Sequence, residues 1–202
     1  MKLLASLVLA LALSGCATVS PTVNKEFETM RHATWRVEIM VGQYEAGSCS
    51  GVFISPEKFL TAAHCQPDGT DGYLRVKGKK ATILKIDNSR DLMLLYVPGK
   101  NSFVQVSERL AVLDEPVVVV GFPLGVGPIL TEGRAQGVLF IPEAGSPERF
   151  LAVTAPISGG SSGGPVFIKD KGKYKVAGIA SRGGGTVYLF IDVHNIYIFL
   201  HE

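Results

Sequence analysis

The chain has 202 residues, room for one large domain or for two small ones sharing an interface. Hydrophobic residues make up 47% and charged residues 19%, at a mean hydropathy of +0.27, which excludes wholesale disorder. Twenty basic against eighteen acidic side chains leave a formal charge of +2 with no basic block, so no nucleic-acid partner is expected.

Met1-Lys2 is a short positive start, followed by an apolar run from Leu3 to Leu13 broken only by Ser6. The run is too short to span a bilayer as a helix, which takes about 20 residues, and it suits the apolar core of a secretory signal. It closes on Leu13-Ser14-Gly15-Cys16, which resembles the lipobox of bacterial lipoproteins. That resemblance implies that residues 1–15 are a signal peptide cut before Cys16, and that the Cys16 thiol is lipidated. Each acyl methylene then adds about 0.8 kcal/mol of membrane affinity. An ordinary signal peptide containing Cys16, or a buried N-terminal helix, is the alternative. Ala17 and Thr18 offer no acidic residue of the kind that retains such proteins at an inner membrane, so the outer membrane is slightly favoured if the host has one. Residues 16–33 are polar, contain Pro21 and show no sustained apolar period, and are expected to be a flexible tether.

From Thr34 onward short runs rich in Val, Ile, Phe and Tyr alternate with Gly, Pro, Asn and Asp. The predicted strands of the first half are Thr34–Val41, Ser50–Ile54, Phe59–Ala63, Gly72–Val76, Lys80–Ile86 and Asp91–Val97. Those of the second are Glu115–Val120, Ile129–Phe140, Phe150–Thr154, Pro165–Ile168, Lys175–Ala180 and Val187–Ile191. A joint is expected in the weakly apolar stretch Gly99–Glu108, and a short helix over Val193–Leu200. The fold class is all-β. Residues 34–107 and 108–202 form its two halves, with the helix at the end of the second.

Three segments carry chemistry. Thr61-Ala62-Ala63-His64-Cys65 sets a histidine after a small-residue strand end. Asp91 opens the apolar strand Leu92-Met93-Leu94-Leu95, and Gly160-Ser161-Ser162-Gly163-Gly164-Pro165 places a serine in a glycine-rich loop. A serine hydroxyl is a poor nucleophile until a base takes its proton, and the base needs a carboxylate to fix its tautomer. Glycines beside the serine let backbone N–H groups converge on an oxyanion without Cβ obstruction.

The order His, Asp, Ser and these motifs resemble the chymotrypsin-like (trypsin-fold) serine proteases over essentially Thr34 to Leu200. The resemblance implies two six-stranded antiparallel β-barrels, with His64 as general base, Asp91 as its carboxylate partner and Ser162 as nucleophile. The glycines follow Ser162, so it is preferred over Ser161, and the backbone N–H groups of Gly160 and Ser162 become the oxyanion donors. It also implies a disulfide between Cys49 and Cys65. Pro156 and Ile157 are placed at the base of a specificity pocket. Ser181, Arg182 and Gly183 fall on a strand that pairs with substrate, and Thr186 on the pocket wall. No charge lies at the pocket base, so a small or medium uncharged residue is expected before the scissile bond.

The compact bacterial branch fits best. Val117-Val118-Val119-Val120-Gly121-Phe122-Pro123 and Thr154-Ala155-Pro156-Ile157 resemble HtrA-type proteases, and the ending Phe190-Ile191-Asp192 resembles glutamyl endopeptidases. No PDZ domain, cofactor or metal is expected. His32 and His201 read as solvated surface, His194 as a helix-start residue and Trp35 as a core or barrel-edge residue. In many members of the family an aspartate before the nucleophile pairs with a freshly cut N-terminus; here that residue is the uncharged Ser161. The expectation is a lipid-anchored serine endopeptidase acting on polypeptide. The alternatives are a silent protease-fold lipoprotein that binds peptides, or an esterase.

Overall fold

Two bodies of antiparallel β-structure share one apolar seam in the computed structural model, which describes residues 25–141 and 149–202. The segment 1–15, Cys16 and the first part of the expected tether lie outside the described residues. The first body comprises β1 (Thr34–Val41), β2 (Tyr44–Phe53), β3 (Lys58–Thr61), β4 (Gly72–Val76), β5 (Lys79–Lys80), β6 (Thr82–Asp87) and β7 (Leu92–Tyr96). Their hydrogen-bonded order is β5-β4-β1-β2-β3-β7-β6. The second comprises β8 (Pro116–Gly121), β9 (Ile129–Phe140), β10 (Arg149–Val153), β11 (Pro165–Asp170), β12 (Lys173–Gly184) and β13 (Val187–Asp192). These six close into a barrel in the order β10-β13-β12-β11-β8-β9.

The all-β class and the terminal helix are as expected, and the first body is a half-barrel with one strand more than the expected six. It is a seven-stranded sheet whose outer strands, β5 and β6, do not pair with each other. The expected strand Lys80–Ile86 divides at Ala81, whose side chain is buried and whose N–H donates to Leu74 O at 2.9 Å. The expected joint is a strap bonded to both bodies. Val104 N–H donates to Phe53 O at 2.9 Å, and Ser107 N–H donates to Val176 O at 2.8 Å.

Lys25–Ala33 is a helix (α1), not part of a tether. Phe27, Met30 and Ala33 recur every third residue, which places them along one face of so short a helix. Met30 and Ala33 are fully buried, and the Phe27 ring stacks 6.0 Å from that of Tyr174 on β12. With three apolar positions in nine residues the pattern is too brief to read as a period, and tertiary packing sustains the helix. Val193–His201 forms α2 as expected. Buried Asp192 caps it by accepting the Asn195 N–H at 3.0 Å, while Arg149 lies 3.0 Å from the same carboxylate.

The core is continuous across the seam. Met30 of α1 and Phe199 of α2 join Val52 and Leu60 of the sheet and Val120 and Phe167 of the barrel in one cluster. Each body also has its own cluster, around Phe53 and Phe59 in the sheet and around Leu151 and Phe190 in the barrel. No helix among the described residues is long and apolar enough to cross a membrane.

Candidate active site

Strand β3 ends at Thr61, and Ala63–Cys65 forms a single 3-10 turn that buries Ala63 and Cys65 and turns the His64 side chain outward, 43% exposed. The turn is anchored by the disulfide between Cys49 and Cys65, whose Cα atoms are 6.2 Å apart. Cys49, His64 and Cys65 bring their ligand atoms within 4.8 Å of one another, but both sulfurs are joined in the disulfide and the trio cannot hold a metal. Closing a loop of this length is worth about 3 kcal/mol in the chain-entropy treatment. Replacing both cysteines by alanine should lower unfolding free energy by about that amount in a denaturant titration. An unchanged midpoint would show that the bridge adds nothing.

Asp91 lies immediately before β7 with φ of 52°, a left-handed conformation that aspartate tolerates better than most side chains. Its Oδ1 accepts the His64 backbone N–H at 2.9 Å, and both carboxylate oxygens lie 2.9 Å from His64 Nδ1. Ser181 Oγ donates to Asp91 Oδ2 at 2.6 Å. The reach of Ser181 comes from a bulge in β12. Ala180 pairs with Phe190 and Arg182 with Leu189, so Ser181 is an extra residue whose side chain is re-aimed. Burial works to raise the Asp91 carboxyl, and the hydrogen bonds from His64 and Ser181 outweigh it, holding the group below the usual carboxylate value. The aspartate therefore stays ionised beside the imidazole.

The serine loop is built from two linked turns. Ser161 N–H donates to Ser158 O at 2.9 Å, with Gly160 at φ of 93° in the third position, as type II turns require. Gly164 N–H then donates to Ser161 O at 2.9 Å. Glycine is also required sterically at 163, because a Cβ there would run into Thr61 Oγ1 and Ser50 O of the facing sheet. The loop is tied outward as well: Ser50 N–H donates to Ser162 O at 2.7 Å, Gly163 N–H to Ala180 O at 2.7 Å and Leu124 N–H to Gly159 O at 2.7 Å. A trans peptide sets its N–H opposite its C=O, so the bond at Gly159 O turns the Gly160 N–H away from Leu124. Among the described residues neither the Gly160 nor the Ser162 N–H donates to a protein acceptor. Of the two adjacent serines, Ser161 is 3% exposed with Oγ accepting from Ser158 N–H, while Ser162 is only half-buried.

Thus His64, Asp91 and Ser181 meet directly, and Ser162 belongs to the loop packed on the same turn, with Cys65 Sγ 3.9 Å from Ser162 O. The residues expected to set specificity are more dispersed. Ile157 and Tyr188 close in on Gly183, where a Cβ would find Ile157 Cγ1 at 3.2 Å. Pro156 and Ile157 also line a cavity of about 180 Å³ behind the serine loop, with Val119, Gly121 and Thr131; no charged side chain lines it. Thr186 is exposed in the β12–β13 turn, and the Arg182 guanidinium sits 5.2 Å from the centroid of the Phe150 ring. A larger cavity, about 430 Å³, lies between α1 and β12 and shares no lining residue with the site. Two contributions escaped the sequence reading: the Ser181 side chain, placed there on a substrate strand, and Ser50, noticed only as the neighbour of Cys49.

Residues 49–179 match the family model of the trypsin-like peptidase domain. The chain is 32% identical over 126 residues to a probable periplasmic DegP-like serine endoprotease of Rhizobium meliloti, covering 58% of this chain and 25% of that protein. It is 33% identical over 143 residues to a putative mitochondrial Do-like protease 3 of Arabidopsis thaliana, covering 65% of this chain and 25% of that one. It therefore spans a quarter or less of the curated relatives it matches. Among solved structures, the active form of the Rv3671c protease from M. tuberculosis superposes with a TM-score of 0.74 at 21% identity, over 88% of this chain and 83% of that one. A serine endoprotease from Yersinia pestis gives 0.69 at 18% identity, over 88% and 66%. These likenesses show the shared fold.

Proposed function

The chain belongs to the trypsin-like peptidase domain family, and from that premise we propose that it is an exported serine endopeptidase, lipid-anchored through Cys16, using His64, Asp91 and Ser162. The observation that carries the reading is the pairing of His64 Nδ1 with an ionised Asp91 beside a loop that leaves the Gly160 and Ser162 amides unbonded. An imidazole held through Nδ1–H presents its other nitrogen as a base. His64 Nε2 takes the Ser162 proton as Oγ attacks the substrate carbonyl carbon. The electron pair displaced onto the carbonyl oxygen is met by the Gly160 and Ser162 N–H groups. His64 returns its proton to the leaving amine, giving an acyl-enzyme on Ser162. Water, deprotonated by His64, then releases the acid and regenerates the serine.

Ile157 and Tyr188 crowd Gly183, which the resemblance sets on the substrate strand, and none of the three is charged. A small or medium uncharged residue is the proposed preference, with Arg182 favouring an acidic residue further upstream. Labelling with a fluorophosphonate probe, followed by peptide-library cleavage, tests the reading. The wild type should be labelled at Ser162 and should cleave after uncharged residues. No labelling would leave a silent binder; labelling with ester but not peptide hydrolysis would leave an esterase. Strong cleavage after Lys or Arg would overturn the pocket assignment. A Cys16→Ser variant should move the activity from the membrane to the soluble fraction.

A further inference from the structure

Ser50, near the end of β2, is fully buried where the sheet meets the barrel. Its Oγ donates to Gly160 O at 2.8 Å and accepts the Phe122 N–H at 2.8 Å. Its own N–H donates to Ser162 O at 2.7 Å, and its C=O accepts from Thr61 Oγ1 at 2.7 Å. Four hydrogen bonds converge on one residue, and three of them cross to the barrel. We infer that Ser50 is a positioning residue, whose hydroxyl holds the serine loop in the conformation that aims the Gly160 N–H at the reacting carbonyl oxygen. The inference rests on the peptidase reading of Ser162.

The physical need for such a device lies in the turn. Type I and type II turns differ by reversal of the central peptide, here Gly159–Gly160, and two glycines put little steric resistance in the way. Reversal would point a carbonyl, not an N–H, at the developing oxyanion. Leu124 N–H holds Gly159 O, and Ser50 Oγ holds Gly160 O. With both carbonyls held, neither peptide flanking Gly160 turns on its own. A hydroxyl has one proton to give and lone pairs to receive, and Ser50 uses both capacities, satisfying Phe122 as well. Alanine at 50 would leave the half-buried Gly160 O and the buried Phe122 N–H without their partner, a state the loop relieves by moving.

Ser50→Ala should lower kcat for a peptide substrate by about 10- to 100-fold while KM stays within about twofold, less than loss of an oxyanion donor itself. Affinity for a peptide boronate, whose adduct carries the oxyanion, should fall by the same factor as kcat/KM. Exchange of the Phe122 amide with solvent should be slow in wild type and faster in the variant. Fast Phe122 exchange in the wild type itself would overturn the clamp whether or not the variant folds. Unchanged kcat and boronate affinity beside faster exchange would reduce Ser50 to a packing role. A wild type that no fluorophosphonate labels would defeat the peptidase reading instead, with Phe122 exchange still reporting on the clamp.

Discussion

Ser162→Ala is expected to lower kcat by about 10⁶-fold, with His64→Ala close behind and the double variant no worse than either. The non-additivity follows from the roles: without the oxygen nucleophile the base has no proton to take, and without the base the hydroxyl is not activated. Residual hydrolysis would persist, about 10³- to 10⁴-fold above that in water, because the Gly160 and Ser162 amides still bind the oxyanion. Ser161→Ala provides the contrast. Ser161 is buried and its hydroxyl only braces the turn at Ser158, so that variant should keep fluorophosphonate labelling where Ser162→Ala loses it. Substantial turnover in Ser162→Ala would defeat the assignment.

Asp91→Asn is the second large effect, about 10⁴-fold in kcat. The amide can present its NH₂ to His64 Nδ1 and so favour the tautomer that carries the proton on Nε2, where it cannot act as a base. It also loses the carboxylate that stabilises the imidazolium. The stability consequence has a definite sign. The folded-state carboxyl of Asp91 lies below its ordinary value, because the His64 and Ser181 hydrogen bonds outweigh burial. Its contribution is therefore fully present above the unfolded pKa, about 3.9, and is lost as pH falls through the folded value. Asp87 and Glu115 are lowered as well, but they are common to both proteins. The difference in melting temperature between wild type and Asp91→Asn should accordingly shrink below about pH 4. A difference independent of pH down to pH 2.5 would show that Asp91 is not held ionised by its partners.

Much of this architecture is legible in the chain because it is local. Thr34–Val41, Gly72–Val76 and Ile129–Phe140 occur with the predicted bounds, since turn residues follow the first run and flank the other two. His64, Asp91 and Ser162 sit in short motifs, so they could be singled out one by one. What could not be read is what depends on contact between distant segments. The helix α1 exists because Met30 and Phe27 find partners in the barrel, and nine mostly polar residues do not announce that. The split at Ala81 depends on a backbone bond to Leu74. Ser181 faces Asp91 only because a bulge, visible as a change of register against β13, turns it there. Ser50 looks like any strand serine until the loop 110 residues later is folded against it.

The seam between sheet and barrel also sets when the proposed centre can first be assembled. Asp91 and Ser181 are separated by 90 residues, and Ser50 and Gly160 by 110. A chain made from its N-terminus therefore carries His64 and Asp91 long before the strand that secures them exists. Until Ser181 has emerged and β12 has bulged, the Asp91 carboxylate lacks one of its two hydrogen-bonding partners. The same separation means that any parting of the two bodies breaks the contacts Asp91–Ser181 and Ser50–Gly160 together.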